Sequence, residues 1–328
     1  MNGKDGKDEC WVGIDVAKAK LDVDAVKGSG KPRRKRVSNT KEGYAELAAW
    51  LAANGFAGAK VCLEATGRYG EKVAEALHDA GFIVSVANPG QVKPFIGSLG
   101  SRNKTDEADA AGIREFCRRM EPKPWTPPSK KTRLLRDLMV LRDAHVADAT
   151  AWSNRIEGGL DPDADRLAKE RLAEIRGHVE TLEARIAEEI GGDDDLDGKR
   201  RLLESIPGIG DATIRVLLTE LPADIPRRAK ESAAYAGLNP ARKESGTMVG
   251  KTSLSKRGRA RLRTAMYMAA LSSIRNNPII KAFAERLRSR DVKGKRLVCA
   301  CARKLLTICC AVLRTKKAFD PDFRPAAA

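Results

Sequence analysis

The sequence predicts a three-part chain: an α/β domain over residues 1–125, a helical hairpin or coiled coil over 126–195, and a basic, mainly helical domain over 196–328. Three observations carry this. Short apolar runs alternate with helical patterns over the first 120 residues. Pro122, Pro124, Pro127 and Pro128 then mark a boundary, because closely spaced prolines cannot continue a helix. Beyond them the patterns are long and helical.

The elements follow in order. Cys10–Val16 is a short apolar run, Leu21–Val26 alternates, and the Gly28-Ser29-Gly30 turn precedes a third strand at Arg34–Ser38. Three strands on tight connections predict an antiparallel meander. A helix over Lys41–Asn54 places Tyr44, Leu47, Ala48 and Leu51 on one face. A buried-type strand at Lys60–Glu64, a helix over Gly70–Gly81, a strand at Phe82–Ala87 and a helix over Asp106–Arg119 complete the domain. The order βββ-α-β-α-β-α is that of a ribonuclease-H-like domain, a mixed sheet covered by helices. Two long helices then span Ser129–Gly158 and Asp163–Ile190. In the second, Leu172, Ile175, Val179, Leu182 and Ile186 recur at spacings of three and four, a heptad-like seam that suits a spacer or, on an exposed arm, homo-oligomerisation. The acidic run 191–195 reads as a flexible linker.

Composition narrows the function. The chain has 328 residues, 42% hydrophobic and 32% charged, which is enough apolar content for a folded core and excludes wholesale disorder. No stretch approaches the roughly 20 apolar residues of a membrane span, and Met1–Glu9 is polar and charged, unlike a signal peptide. The expectation is a cytoplasmic protein without a membrane partner. Seven scattered cysteines in so large a chain fit reduced thiols. Cys299, Cys301, Cys309 and Cys310 fall in an Ala/Leu-rich helical pattern, with His78, His145 and His178 all outside that domain. Buried small residues are favoured there over a zinc site.

Charge is unevenly spread. Residues 1–195 carry 32 Lys+Arg and 33 Asp+Glu, whereas residues 196–328 carry 29 and 11. A net −1 is therefore followed by a net +18, the footprint of a surface that meets a polyanion, nucleic acid before membrane.

In the first domain Asp15 closes the first strand and Glu64 closes the fourth, so neighbouring central strands would set them side by side. Asp106 and Asp109, three apart on a helix, share a face. Any one of these acids alone would read as a turn former, cap or solvated face. Together they predict a site for hard divalent cations, Mg²⁺ or Mn²⁺, suited to phosphodiester chemistry. The sugar-kinase superfold also opens with a strand ending in Gly-Ile-Asp, but it wants a Gly/Thr phosphate loop where this chain has Val16-Ala17-Lys18.

In the basic domain, Leu202–Leu218 reads as two helices around a Pro-Gly-Ile-Gly hairpin. Gly208 and Gly210 there permit positive φ and a close approach of backbone amides to phosphate, although a plain helix–helix turn reads as well. Arg242 and Lys243 follow, then Lys251, Lys256, Arg257, Arg259, Arg261 and Arg263 interleaved with Ser253, Ser255 and Gly258, a mixture suited to phosphate contacts at a helix entrance. Lys293–Arg296 adds a further basic cluster.

Read together, Gly13-Ile14-Asp15-Val16-Ala17, Glu64-Ala65-Thr66-Gly67, Asn103-Lys104-Thr105-Asp106 with Asp109, Ser205-Ile206-Pro207-Gly208-Ile209-Gly210, and Ala236-Gly237-Leu238-Asn239-Pro240 followed by Glu244-Ser245-Gly246 resemble the DEDD-type insertion-sequence transposases. That group includes the pilin-gene invertases and the bridge-RNA-guided recombinases. The resemblance spans nearly the whole chain in the same order. It implies a RuvC-like N-terminal domain, a coiled-coil middle and a C-terminal transposase domain with a nucleophilic serine. Position by position, the acidic metal set falls on Asp15, Glu64, Asp106 and Asp109, and the serine on Ser245. The residues alone leave Ser245, Ser253 and Ser255 open. Arg102 and Lys104, beside Asp106, are further candidate nucleic-acid contacts.

The resemblance further implies target and donor double-stranded DNA as substrates, a structured non-coding guide RNA pairing to both, and a homo-oligomer, a dimer or a dimer of dimers on DNA. An aromatic content of 5% leaves few stacking platforms for base readout, which suits guidance by RNA. The alternative is a junction nuclease that hydrolyses DNA through the first domain without a serine intermediate. A second is a basic scaffold whose acids have no catalytic part.

Overall fold

Alternation within the first strands decides how the first unit is layered. A computed structural model describes residues 9–65, 67–99, 106–222, 224–241, 244–245, 248–249 and 253–322, with the side chains of Arg68, Glu244, Ser245, Met248 and Val249 outside that description. The chain divides into two units, Met1–Pro127 and Pro128–Ala328.

In the first unit β1 (Cys10–Val16), β2 (Lys20–Lys27), β3 (Arg33–Ser38), β4 (Lys60–Glu64) and β5 (Ile83–Ala87) form one sheet in the order β3-β2-β1-β4-β5. The β1–β2 and β2–β3 pairs are antiparallel, while β1–β4 and β4–β5 are parallel. This is the mixed sheet expected of a ribonuclease-H-like domain. Successive strand residues point to opposite faces. Val12, Ile14 and Val16 join Leu21, Val23 and Ala25 in one core with Tyr44, Leu47 and Leu51 of α1 (Lys41–Ala53) and Val73, Ala74 and Leu77 of α2 (Arg68–Asp79). Trp11, Cys62 and Ala87 face the other way. They pack against Val92 of α3 (Pro89–Ser98) and Ile113, Phe116 and Cys117 of α4 (Asp106–Met120).

Helix α3 has no counterpart in the sequence-based expectation. Pro89, Gly90, Pro94 and Gly97 suggest a loop, yet Pro89 occupies the first helical turn and the Asn88 side chain accepts the Gly90 amide at 2.8 Å.

The second unit begins with α5 (Lys130–Glu157) and α6 (Pro162–Gly191). Ser129 caps the first by accepting the Thr132 amide, and Asp161 caps the second with Pro162 behind it. The pairs Lys131–Gly192, Arg142–Glu183 and His145–His178 run in opposite directions along the two helices, so they form an antiparallel hairpin. Leu172, Ile175 and Ile186 of the heptad-like seam are buried. Leu135, Met139, Ile186 and Ile190 belong to the same core as the C-terminal helices, so the base of the hairpin is continuous with them.

The acidic run 191–195, expected to be a flexible linker, is instead a helix start. Asp193 accepts the amides of Asp195 and Leu196, and α7 (Asp194–Glu204) follows. Next come α8 (Asp211–Glu220), α9 (Ala229–Ala236), four two-residue strands, and α10 (Ala260–Asn276), α11 (Pro278–Arg288) and α12 (Gly294–Thr315). No described helix is long and apolar enough to cross a membrane.

Candidate functional site

The acids of the first unit are gathered by one contact without a side chain. A Cβ on Gly13 would stand 2.2 Å from the Ala110 carbonyl oxygen and 2.3 Å from the Arg114 amide, so only glycine lets α4 lie this close to β1. That approach brings the first turn of α4, with Asp106 and Asp109, toward the end of β1. The parallel β1–β4 register ends at Ile14 opposite Leu63, and one residue further along each strand stand Asp15 and Glu64.

The acids bear on one another electrostatically. The Asp15 carboxyl is pushed above the usual carboxylate range, first by burial and then by the negative fields of Asp109, Asp106, Asp22 and Glu64. Asp106 is held below that range by its hydrogen bond from Lys20, whose Nζ donates to Oδ2 at 2.6 Å. Lys20 also stands 3.4 Å from Asp22, and Lys93 of α3 lies 3.5 Å from Glu64.

Sequence reasoning missed Lys20, Asp22 and Asp24, which alternate along β2 on the face that α4 covers. Both aspartates are buried. Asp22 is held by the Arg36 Nε at 2.6 Å, and Asp24 by Arg34 at 3.0 Å and Arg114 at 2.7 Å. Arg36 and Arg34 are their direct cross-strand partners on β3. Arg34 reaches on to Glu107 at 3.1 Å. The signal was present in the Lys-x-Asp-x-Asp alternation, but its meaning depends on the β2–β3 register.

Among the described residues no group of three or more His, Cys, Asp or Glu side chains is gathered tightly enough to hold a metal ion. The chemistry of the donor set nevertheless fits a hard divalent cation. Asp15, Glu64, Asp106 and Asp109 are all carboxylates, the negative fields of the other three help to raise the Asp15 carboxyl, and the Lys20 ammonium stands as a cation on Asp106.

The serine segment is of different construction. Pro240–Ala241 pairs antiparallel with Ser253–Leu254, and Glu244–Ser245 pairs with Met248–Val249 inside it. Ser245 thus lies on the inner of two antiparallel ladders between α9 and α10 in the sequence. Ser255 bonds to the Asn239 side chain, beside the outer ladder.

The remaining basic candidates divide by environment. Lys256, Arg257 and Arg259 are exposed at the entrance to α10. Arg259 lies over the Tyr235 ring, 6.0 Å from its centroid. Arg261 pairs with Asp143 at 3.0 Å and Glu220 at 3.5 Å. Arg263 donates to the carbonyls of Ala236 and Lys256, which ties the strand segment to α9. Arg102, Lys104, Arg242, Lys243 and Lys251 lie outside the described residues. Gly208, at φ +90, is where a Cβ would meet Ser273 of α10 at 2.3 Å, so it seats the α7–α8 turn on that helix; around Gly210 the space is open. Cys301, Cys309 and Cys310 are buried within the helical core, and burial pushes the thiols of Cys301 and Cys310 up to about 11 and about 12.

Comparison with known proteins aligns with this layout. Residues 12–162 match the family model of DEDD-type IS110 transposases, and residues 200–285 match the family described as transposase IS116/IS110/IS902. The pilin gene-inverting protein of Moraxella bovis is 30% identical over 315 residues, covering 94% of this chain and 97% of the relative; that of Moraxella lacunata matches to the same extent. The transposase for insertion sequence element IS1111A of Coxiella burnetii is 24% identical over 227 residues, covering 60% of this chain and 61% of the relative. Among solved structures, Thermus thermophilus RuvC matches with a TM-score of 0.26 and 20% identity, over 35% of this chain and 99% of RuvC.

Proposed function

Because the chain belongs to the IS116/IS110/IS902 family of transposases, we propose that it is an insertion-sequence DNA recombinase that cuts and rejoins DNA through a phosphoserine intermediate at Ser245. The observation that carries this reading is geometric: the Gly13–α4 contact brings Asp106 and Asp109 toward the end of β1, and the parallel β1–β4 register sets Glu64 beside Asp15 there. The +18 charge of residues 196–328 supports a nucleic-acid surface around the serine segment.

The two parts have complementary tasks. Attack by the Ser245 hydroxyl on a backbone phosphorus forms a serine phosphoester, breaks one phosphodiester bond and releases a strand end as a free hydroxyl. The hydroxyl of an exchanged strand then attacks that phosphorus and expels serine. One ester is traded for another at each step, so rejoining needs no nucleotide cofactor. Asp15, Glu64, Asp106 and Asp109 would hold Mg²⁺ or Mn²⁺, which would supply positive charge against the charge developing on the phosphate and make the attacking hydroxyl more acidic. Exposed Lys256 and Arg257 would hold the backbone beside the serine segment.

The reading includes a structured guide RNA that pairs with target and donor duplexes, as the family resemblance implies, and a homo-oligomer. The exposed Leu134 and Leu141, seven residues apart on α5, support self-association of the hairpin. The middle and C-terminal parts then divide as a hairpin over 126–195 and a transposase domain over 196–328. Reconstitution of purified protein with RNA transcribed from the element's end, Mg²⁺ and two labelled duplexes should give joined products. Equal joining at the same site without RNA would contradict the guided mechanism.

A further inference from the structure

Lys20 is the first residue of β2, and its ammonium bridges carboxylates of two elements, one on its own strand and one 86 residues along the chain from it. Nζ lies 2.6 Å from Asp106 Oδ2, at the start of α4, and 3.4 Å from Asp22 Oδ2, on its own strand. The two contacts are unequal in kind. Asp22 is 6% exposed at its side chain and is fixed by Arg36 at 2.6 Å, whereas Asp106 is 51% exposed and open to solvent. One end of the bridge is therefore an anchor and the other is exchangeable.

Asp22 is the cross-strand neighbour of Asp15, so Lys20 stands in the field the acidic set creates. An ammonium is a compact monovalent charge on a flexible four-carbon stem. It neutralises one carboxylate at modest cost and yields to an ion of twice its charge. Among the described residues, Arg36, fixed on Asp22, and Arg34, on Asp24 and Glu107, also face this edge, while Lys93 of α3 stands 3.5 Å from Glu64. Both guanidinium groups are anchored on buried carboxylates and Lys93 stands on Glu64, which leaves Lys20, among the described residues, as the movable cation on Asp106.

We propose that Lys20 is a positioning residue acting as the protein's own counter-cation: anchored at Asp22, it holds Asp106 and the start of α4 in the metal-free state and releases Asp106 when a divalent cation binds. This rests on the acids being a metal site. Lys20 itself touches neither DNA nor the reacting phosphate in this scheme. Its removal lowers the stability of the metal-free protein and raises cation affinity, a combination that a purely structural salt bridge would not produce.

The test uses the full chain and Mn²⁺ alone, with free Mn²⁺ followed by electron paramagnetic resonance and fold checked by circular dichroism. Lys20→Met should bind Mn²⁺ about threefold more tightly, in keeping with loss of an exposed competing charge, and its metal-free thermal midpoint should fall. Lys20→Arg, which keeps the charge, should return both values toward wild type. If Lys20→Met does not fold, Lys20→Gln serves for the same comparison. Unchanged or weaker Mn²⁺ binding by the folded variant would overturn the proposal while leaving the metal site standing, provided wild type binds and Asp15→Asn does not. A wild-type protein that takes up no Mn²⁺ would overturn both.

Discussion

The acidic set and the serine segment are built on opposite principles. Asp15 and Glu64 sit at the ends of adjacent central strands in a five-stranded sheet, with buried Asp22 and Asp24 locked by arginines beneath the approach of α4. Ser245 sits on a two-residue ladder within a second two-residue ladder. The first arrangement fixes charges that repel one another, which demands a rigid frame. The second, under the proposed reading, would offer a neutral serine hydroxyl to a bulky duplex from two short ladders. Charge follows the same division, near balance across residues 1–195 and +18 across 196–328. The contrast teaches that rigidity is placed where like charges converge, and net basicity lies in the half that carries the serine segment.

The most damaging change to the rigid half should be Gly13→Ala. Its methyl group would collide with the Ala110 carbonyl and the Arg114 backbone, forcing α4 off the sheet. A loss of about 3 kcal/mol in urea unfolding is expected, with the acids pulled apart. Retention of wild-type stability would break the claim that this contact sets the site. On the basic half, Lys256→Ala combined with Arg257→Ala should reduce the slope of log binding constant against log salt by about 2. Lys41→Ala with Lys72→Ala, two exposed positions on α1 and α2, should leave the slope as it was. Equal effects of the two pairs would erase the division of charge.

The smallest effect is a pH dependence. Asp15 has a raised folded-state pKa, so its contribution to stability is fully present below 3.8 and is lost as pH rises through the folded value, where the unfolded chain has already released its proton. Asp106 has the opposite sign: its pKa is lowered by Lys20, and its contribution is lost as pH falls through the folded value. In metal-free protein above that window, Asp15→Asn should raise the thermal midpoint by about 2 °C relative to wild type. A variant less stable than wild type there would show that the fields on Asp15 are not a cost.

Much of the sheet was legible because its signals are local. Val12, Ile14 and Val16 alternate with Trp11, Gly13 and Asp15, and that pattern alone assigns Asp15 to one face. The adjacency of Asp15 and Glu64 follows from both closing neighbouring strands. Helix α3 was not legible, since its prolines and glycines outweigh a single Asn88 cap. The segment at 191–195 misled in the same way, because Asp193 works as a cap only once α7 exists to offer its amides. Lys20, Asp22 and Asp24 needed the cross-strand register before they became an ion network. Ser245 could not be told from Ser253 or Ser255 by composition. The Ser255 bond to Asn239 gives that residue a structural task, one a sequence does not display.

The central claim is that acidic set and serine serve one reaction. The most direct measurement incubates end-labelled DNA with guide RNA, Mg²⁺ and protein, then asks whether label remains attached to the chain after denaturation. The account predicts an adduct with wild type that Ser245→Ala abolishes and Asp15→Asn reduces by about 10³-fold or more. Adducts at wild-type level from Ser245→Ala, or cleaved ends with no adduct from wild type, would contradict it.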